Sequence, residues 1–311
     1  MRKSTKWLLI IAVLVVVWVW MMVWRVPDEN RVKAIFCDVG QGDATLIMLG
    51  NTQMLIDGGP GKAVLDCLDK YLPFNDKVIE LVAVTHADQD HIGGIVEVLR
   101  NYRVEKLVST PVISETEVFN MFYNEIENQI NNYAMNWANV FAGELIKFDS
   151  VVIEVVWPER EWVSDRMSVI KELSSGENGA GVVLGMKDED EELNNFSLVL
   201  HLRYGEFDVL LNGDAGEEVQ DEQLDLGVVP AGVEVMNAPH HGSRSGMLDE
   251  WLQLVDPQLV VISVGAKNRY GHPAAQILQR LDEVGIRYMR TDEVGDMVVE
   301  SDGESWWLNN N

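Results

Sequence analysis

A short apolar run, Leu81 to Thr85, opens directly onto His86-Ala87-Asp88-Gln89-Asp90-His91-Ile92-Gly93-Gly94. A run of that length and character reads as a buried strand. The fold must therefore bring a strand end to a place that tolerates four metal-competent side chains together. In extended chain, His86, Asp88 and Asp90 point the same way because side chains alternate. His91 turns in as Gly93 and Gly94 let the backbone enter a helix. Two imidazoles and two carboxylates converging on one point call for a cation among them. The plainer reading is a polar loop in which Asp90 caps the helix and the histidines face water.

Two further strand ends carry the same residue types. Leu210-Leu211-Asn212-Gly213-Asp214 delivers one carboxylate, which alone is no more than a turn. Ala238-Pro239-His240-His241-Gly242-Ser243 comes after the apolar run Val233 to Asn237, and four of the six histidines fall in it and in the 86–94 segment. His272, in Arg269-Tyr270-Gly271-His272-Pro273, adds a fifth in a loop after a strand. His201 lies within a strand and reads as structural.

Elsewhere strands and helices alternate, which is an α/β (α+β) pattern. Val32 to Cys37, Ala44 to Leu49 and Gln53 to Ile56 read as strands between the Gly40-Gln41-Gly42-Asp43 and Gly50-Asn51 turns. Glu115 to Val140 has helical spacing and reads as a packed amphipathic helix. Leu145 to Trp157 returns to strand. Glu159 to Leu193 reads as a polar loop ending in the acidic run 187–192, a solvated segment or an accessory calcium site. A hairpin is expected over Ser197 to Leu211, then helices at Leu248 to Leu254 and Ala274 to Val284. A terminal strand pair is expected through Tyr288, Val298 and Trp306.

The amino terminus has a separate character. Arg2, Lys3 and Lys6 precede Trp7 to Trp24, 18 residues without one polar or charged side chain. As a helix this run spans about 27 Å, close to the thickness of a bilayer core. Its end is too bulky for signal-peptide cleavage. The bases before it place the N-terminus in the cytoplasm and the chain beyond Arg25 outside. The expected organisation is a membrane anchor over residues 1–27, a linker over 28–31 and a domain over 32–311, held to the cell membrane by a single pass.

Net charge is −26, and every acidic residue lies after residue 27, so the part from Asp28 onward carries −30. Such a surface repels polyanions and excludes a generic basic nucleic-acid coat. A high-salt habitat is another account of the same acidity. Two cysteines exclude a disulfide-stapled scaffold and a Cys-rich zinc module, and Cys37 and Cys67 read as small core residues.

The motifs together carry a resemblance. Asp38-Val39-Gly40-Gln41-Gly42-Asp43, Ile56-Asp57-Gly58-Gly59, His86 to Gly94, Gly213-Asp214, His240 to Ser243 and Arg269 to Pro273 occur in the order seen in metallo-β-lactamase-fold hydrolases. The chain most resembles the hydrolase domain of ComEC-type competence (DNA-uptake) proteins, over roughly Val32 to Ser301. The resemblance implies a four-layer αββα sandwich with a metal site along one edge of its two sheets. It departs in having Asp88 where the general family has a second His, and in lacking a clear counterpart of the family's separate downstream His. The multi-helix channel of the competence proteins is absent, so DNA uptake does not carry over.

The ligand set implied is His86, Asp88, Asp90, His91, Asp214 and His240, with Asp214 bridging two divalent ions. His240 is preferred over His241 because it comes first after the strand. So many carboxylates move preference from zinc toward manganese. Asp57 is expected to orient ligands, and Asp38 and Asp43 either do the same or form turns. The implied chemistry is phosphodiester hydrolysis by hydroxide generated at a dinuclear centre, with Asp90 at its heart. His241 or His272 would protonate the leaving oxygen. Lys267, Arg269 and Ser243 would contact substrate, single-stranded DNA being the candidate. The alternatives are a small phosphodiester, such as a phosphocholine ester, and a non-catalytic binding module on the same fold. The sequence identifies no protein partner.

Overall fold

The computed structural model describes residues 7, 10–17, 30–173 and 182–309. Strands are β1 (Val32–Phe36), β2 (Thr45–Leu49), β3 (Thr52–Ile56), β4 (Val78–Val84), β5 (Arg103–Ser109), β6 (Asn136–Asn139), β7 (Leu145–Phe148), β8 (Val151–Trp157), β9 (Met167–Leu173) and β10 (Val182–Lys187). They continue as β11 (Val199–Tyr204), β12 (Phe207–Leu211), β13 (Val235–Asn237), β14 (Leu259–Ile262), β15 (Arg287–Arg290), β16 (Met297–Ser301) and β17 (Trp306–Leu308). Helices are α1 (Ala63–Tyr71), α2 (Gln89–Asn101), α3 (Glu117–Tyr133), α4 (Arg160–Asp165), α5 (Glu217–Leu226), α6 (Asp249–Val255), α7 (Ala275–Val284) and α8 (Thr291–Val294).

Among the described residues, two large sheets run β17-β16-β1-β2-β3-β4-β5-β6 and β15-β14-β13-β12-β11-β8-β7. Alternation along the strands sends each sheet's residues to two faces. Ile47, Met54, Leu81 and Ala83 of the first sheet meet Ile153, Leu200, Val209 and Val261 of the second in one buried layer. The opposite face of the first sheet packs Leu46, Leu55 and Val82 against α1, α2 and α3 through Leu68, Ile95 and Phe122. The opposite face of the second packs Leu210, Met236 and Val260 against Trp162, Val219, Trp251 and Ile277 of α4 to α7. The result is the layer order helix, sheet, sheet, helix.

Strand direction positions the site. β3, β4, β5 and β6 are mutually parallel, as are β12, β13, β14 and β15. The carboxyl ends of β3, β4, β12, β13 and β14 therefore deliver Asp57, the 86–91 segment, Asp214, the His240-His241 pair and the His272 loop to one edge, where crevices of α/β sheets form. Close backbone contact fixes the helix that carries His91. A Cβ on Gly94 would stand 1.8 Å from the Gly58 carbonyl oxygen, so only glycine lets α2 seat there.

Several expectations are corrected. The helix read over Glu115 to Val140 ends at Tyr133, because Ala134 takes a left-handed conformation at φ 56°, and β6 begins at Asn136. The strand read over Leu145 to Trp157 is a hairpin, turned at Asp149 with φ 56°. The polar 159–193 stretch contains α4 and the β9–β10 pair, with Glu191 of its acidic run held 3.1 Å from Arg166 Nε. Tyr288 lies in the second sheet, not beside Val298 and Trp306. Cys37 and Cys67 are joined in a disulfide instead of packing as free thiols. Both are buried, so their apolar setting is as expected, and the bond ties the end of β1 to α1.

The expected anchor lies largely outside the described residues. Residues 10–17 are helical and exposed, with Ile11 at 55% and Val16 at 65%. Among the described residues, no helix is long and apolar enough to cross a membrane.

Candidate metal centre

The two carboxylate oxygens of Asp214 face two different sets of side chains. His91 Nε2 lies 3.2 Å and His241 Nε2 3.5 Å from Oδ1, and His241 Nε2 lies 3.5 Å from Asp90 Oδ2. On the other oxygen, His86 Nε2 lies 3.8 Å and His240 Nε2 3.7 Å from Oδ2, with Asp88 Oδ2 3.6 Å from His86 Nε2. Asp214, His86, His91 and His241 are buried, whereas Asp88, Asp90 and His240 reach the mouth of a cavity of about 140 Å³.

These atoms have no other employment. His86 Nε2, His91 Nε2, His241 Nε2 and Asp214 Oδ1 are buried and make no hydrogen bond among the described residues. A buried polar atom left unpaired costs roughly 1–3 kcal/mol, so four converging ones demand a common partner. Imidazole nitrogens and carboxylate oxygens suit manganese or zinc. Groups of His86, His91 and Asp214, of Asp90, His91 and His241, and of Asp43, Asp214 and His241 each bring ligand atoms within 4.8 Å of one another. The residues present fit divalent cations.

His91 and His86 are hydrogen-bonded from behind, and polar side chains stand behind His241 and beside His240. His91 Nδ1 is 2.7 Å from Asp57 Oδ2, and the same carboxylate accepts from the Thr85 amide at 2.8 Å and hydroxyl at 2.6 Å. The Thr85 hydroxyl also lies 3.1 Å from His86 Nδ1. Asp43 stands behind His241, Oδ1 to Nδ1 at 3.6 Å, while its other oxygen accepts from Asn237 Nδ2 at 3.1 Å. Asn194 Nδ2 is 3.4 Å from His240 Nδ1. Such outer partners fix ring orientation and the nitrogen left for a cation.

Carboxylates and imidazoles of the cluster favour one another's charged forms. Burial alone would neutralise Asp214, but the neighbouring His241 and His91 hold its pKa well below the usual carboxylate range. Burial opposes a charge on His241 too, yet Asp214 and Asp43 raise it to about 10. For Asp90, burial is outweighed by the neighbouring imidazoles of His241 and His91, giving about 2. A cation would take over the role of the imidazole protons.

Of the six expected ligands, His86, Asp90, His91 and Asp214 fall in groups of closely spaced ligand atoms, as does His241, whereas Asp88 and His240 stand beside them, 3.6 Å from His86 and 3.7 Å from Asp214. His240 and His241 both adopt left-handed backbone, φ 49° and 54°, and both rings approach Asp214, so the geometry does not set His240 apart from His241. Asp57 stands behind His91, itself at φ 55°. Left-handed backbone at three non-glycine residues of one site is strain of the kind held at functional centres. Asp38 is exposed and accepts from the Gly40 amide at 3.2 Å, so it shapes a turn and orients no ligand. His272 is half-buried on the cavity wall, where burial and then His240 and His241 push its pKa down. Lys267 and Arg269 are exposed near the mouth and form no ion pair among the described residues. Ser243 is buried at 5% and does not line the cavity. His201 pairs with Asp208 at 3.2 Å, away from the site. Sequence reasoning missed Thr85, Asn194 and Asn237, whose only signal was a position at the end of a strand or turn.

Residues 37–121 match the model of the metallo-beta-lactamase superfamily. The chain is 27% identical over 287 residues to ComE operon protein 3 of Bacillus subtilis, covering 86% of this chain and 32% of that protein. It is 24% identical over 271 residues to competence protein ComA of Neisseria gonorrhoeae, again over 86% of this chain and 32% of that protein. It thus spans about a third of the length of these relatives. Among solved structures, the metallo-beta-lactamase fold protein YhfI of Bacillus subtilis aligns with a TM-score of 0.49 and 12% identity, over 87% of this chain and 99% of that one. From the Asp38 turn through the histidine-bearing helix the chain is similar to the metallo-β-lactamase superfamily, and over most of its length it is similar to part of the competence proteins.

Proposed function

We propose that the protein is a metal-dependent phosphodiesterase acting outside the cytoplasm from a membrane anchor. One observation carries the reading: the two oxygens of Asp214 each face a separate set of histidine and carboxylate donors, His91, His241 and Asp90 on one side and His86, Asp88 and His240 on the other. A pair of divalent cations held there would supply hydroxide near neutral pH and offset charge on a phosphoryl group.

The chain's own residues position the rest. Asp57, Thr85 and Asp43 hold the rings of His91, His86 and His241 in register, so no reorganisation is needed during reaction. His272 faces the cavity with Nδ1 free of any partner, placed to hold a substrate oxygen or pass a proton to the leaving one. Lys267 and Arg269 offer positive charge at the mouth of a strongly negative domain. The polar walls favour a phosphate over an apolar acyl group.

Two features support the location. The 7–24 run has the length and flanking bases of a single span, and the Cys37–Cys67 disulfide belongs to an oxidising compartment.

The test uses the full chain in detergent, stripped of metal and then given manganese or zinc. Hydrolysis of bis-p-nitrophenyl phosphate and of single-stranded DNA, abolished in Asp90→Ala, is the expected result. Two bound ions with no turnover of either ester would sink the reading and favour a binding module. The −30 charge of the domain favours a second reading, a small phosphodiester such as a phosphocholine ester, which turnover of the small ester alone would support.

A further inference from the structure

Tyr270 stands out at the mouth of the cavity. Its side chain is 71% exposed, and its hydroxyl makes no hydrogen bond among the described residues. Its ring lies on that of His272, with centroids 5.8 Å apart and planes 28° from parallel. His272 in turn stands 5.6 Å from the ring of His240. The other residues lining the cavity are polar: Gln41, Asn194 and the donors around Asp214.

The loop that presents Tyr270 is rigidly built. Asn268 Nδ2 donates to the carbonyls of Gly265 at 2.9 Å and His272 at 2.7 Å. Its Oδ1 accepts from the amides of Gly271 at 2.9 Å and His272 at 3.0 Å. Gly271, at φ 75°, supplies the left-handed residue that lets the loop fold back on Asn268. One side chain thus closes the loop on both sides of Tyr270, and the ring is held out to solvent without being packed away. Just before Tyr270 in the same loop, Lys267 and Arg269 are exposed and form no ion pair among the described residues. An exposed aromatic face with basic side chains in the same loop combines the two elements by which proteins hold single-stranded nucleic acid.

We propose that Tyr270 is a stacking platform for the nucleobase next to the scissile phosphodiester, so that the substrate is a nucleotide ester or single strand and not a small aliphatic diester. The proposal rests on the phosphodiesterase reading above and names its substrate class. A quaternary ammonium group is the competing occupant of an aromatic face, but it is recognised inside a cage of several rings. Here one face is open, which suits a flat base and leaves an ammonium group mostly in water. The acidic exterior keeps duplex DNA away while the local Lys267–Arg269 pair accepts a short run of phosphates.

The test has two arms, both on the full metal-loaded chain. In the first, Tyr270→Ala and Tyr270→Phe are compared on thymidine 5′-(p-nitrophenyl phosphate), methyl p-nitrophenyl phosphate and p-nitrophenylphosphorylcholine. The expected result is a rise in KM for the thymidine ester of about tenfold or more in Tyr270→Ala, recovery in Tyr270→Phe, and no change for the methyl ester. Equal losses on the thymidine and methyl esters, or a loss confined to the choline ester, would overturn the proposal. The second arm needs no turnover: anisotropy of a labelled oligothymidylate against an abasic strand with the same number of phosphates. The wild type is expected to prefer the strand with bases, and Tyr270→Ala to lose that preference. No preference in the wild type overturns the proposal. A wild type that prefers bases yet hydrolyses none of the three esters fails the phosphodiesterase reading and leaves the platform standing.

Discussion

Asp57 Oδ2 sits 2.7 Å from Nδ1 of His91, on the far side of the ring from Asp214. The carboxylate keeps a proton on Nδ1, so Nε2 is the nitrogen that would offer a cation its lone pair once its own proton is expelled. Asp57→Asn keeps the shape, and asparagine tolerates the left-handed backbone at this position. Its amide, however, presents a donor to a ring nitrogen that must itself donate. Manganese affinity measured by calorimetry is expected to fall about 10- to 100-fold, the usual effect of losing an outer carboxylate, with the melting temperature of the metal-free protein little changed.

Proton balance gives a pH prediction with a definite sign. His241 is raised to about 10, against the opposing effect of burial, by Asp214 and Asp43. Its stabilisation of the metal-free protein is full below the unfolded value near 6.5 and lost as pH rises toward 10. Asp90 is lowered to about 2, so its contribution is present above roughly 4 and lost as pH falls through 2. Metal-free protein is therefore expected to melt highest between about pH 4 and 6.5 and to weaken on the alkaline side. Cation binding must expel the proton on His241, so titrations in buffers of different ionisation enthalpy should show proton release at neutral pH. Binding without proton release would mean that the cluster is already deprotonated.

The Cys37–Cys67 bond closes a loop between residues 30 apart in sequence. By loop-closure entropy it stabilises the domain by about 3–4 kcal/mol. Reduction, or the Cys37→Ser/Cys67→Ser pair, should lower the melting temperature by several degrees. An unchanged melt would show that the bond does not form in the purified protein.

Strand ends were legible in the sequence, because apolar runs such as Leu81 to Thr85 are short and stop at polar residues, and all the ligand positions hang on them. Local backbone geometry was not legible. Nothing in a His-His pair announces two consecutive left-handed residues, so the choice between His240 and His241 looked exclusive when both rings turn inward. Non-local pairing was equally hidden. Cys37 and Cys67 sit in apolar surroundings suited to free thiols, and only the packing of α1 on the first sheet brings them together. The β9–β10 pair was missed because polar and Gly-containing sequence surrounds it, and strand pairing there depends on a partner and not on apolar alternation.

The His240–His241 pair gives the sharpest test of the two-sided arrangement around Asp214. His241 is buried and shares Oδ1 of Asp214 with His91, while His240, 32% exposed, approaches Oδ2 beside His86. If the two sets hold separate ions, each substitution should empty one side. His240→Ala, at the mouth, should keep the fold and reduce bound manganese from two equivalents to one tight equivalent, read by metal analysis after gel filtration. His241→Ala should cost more, because it leaves the buried Asp43 and Asp214 carboxylates beside an empty space and removes the ring between them. Its melting temperature should fall in the metal-free state, whereas that of His240→Ala should not. Loss of both equivalents in His240→Ala would show that the ions bind as one cooperative unit, and retention of both would remove His240 from the ligand set.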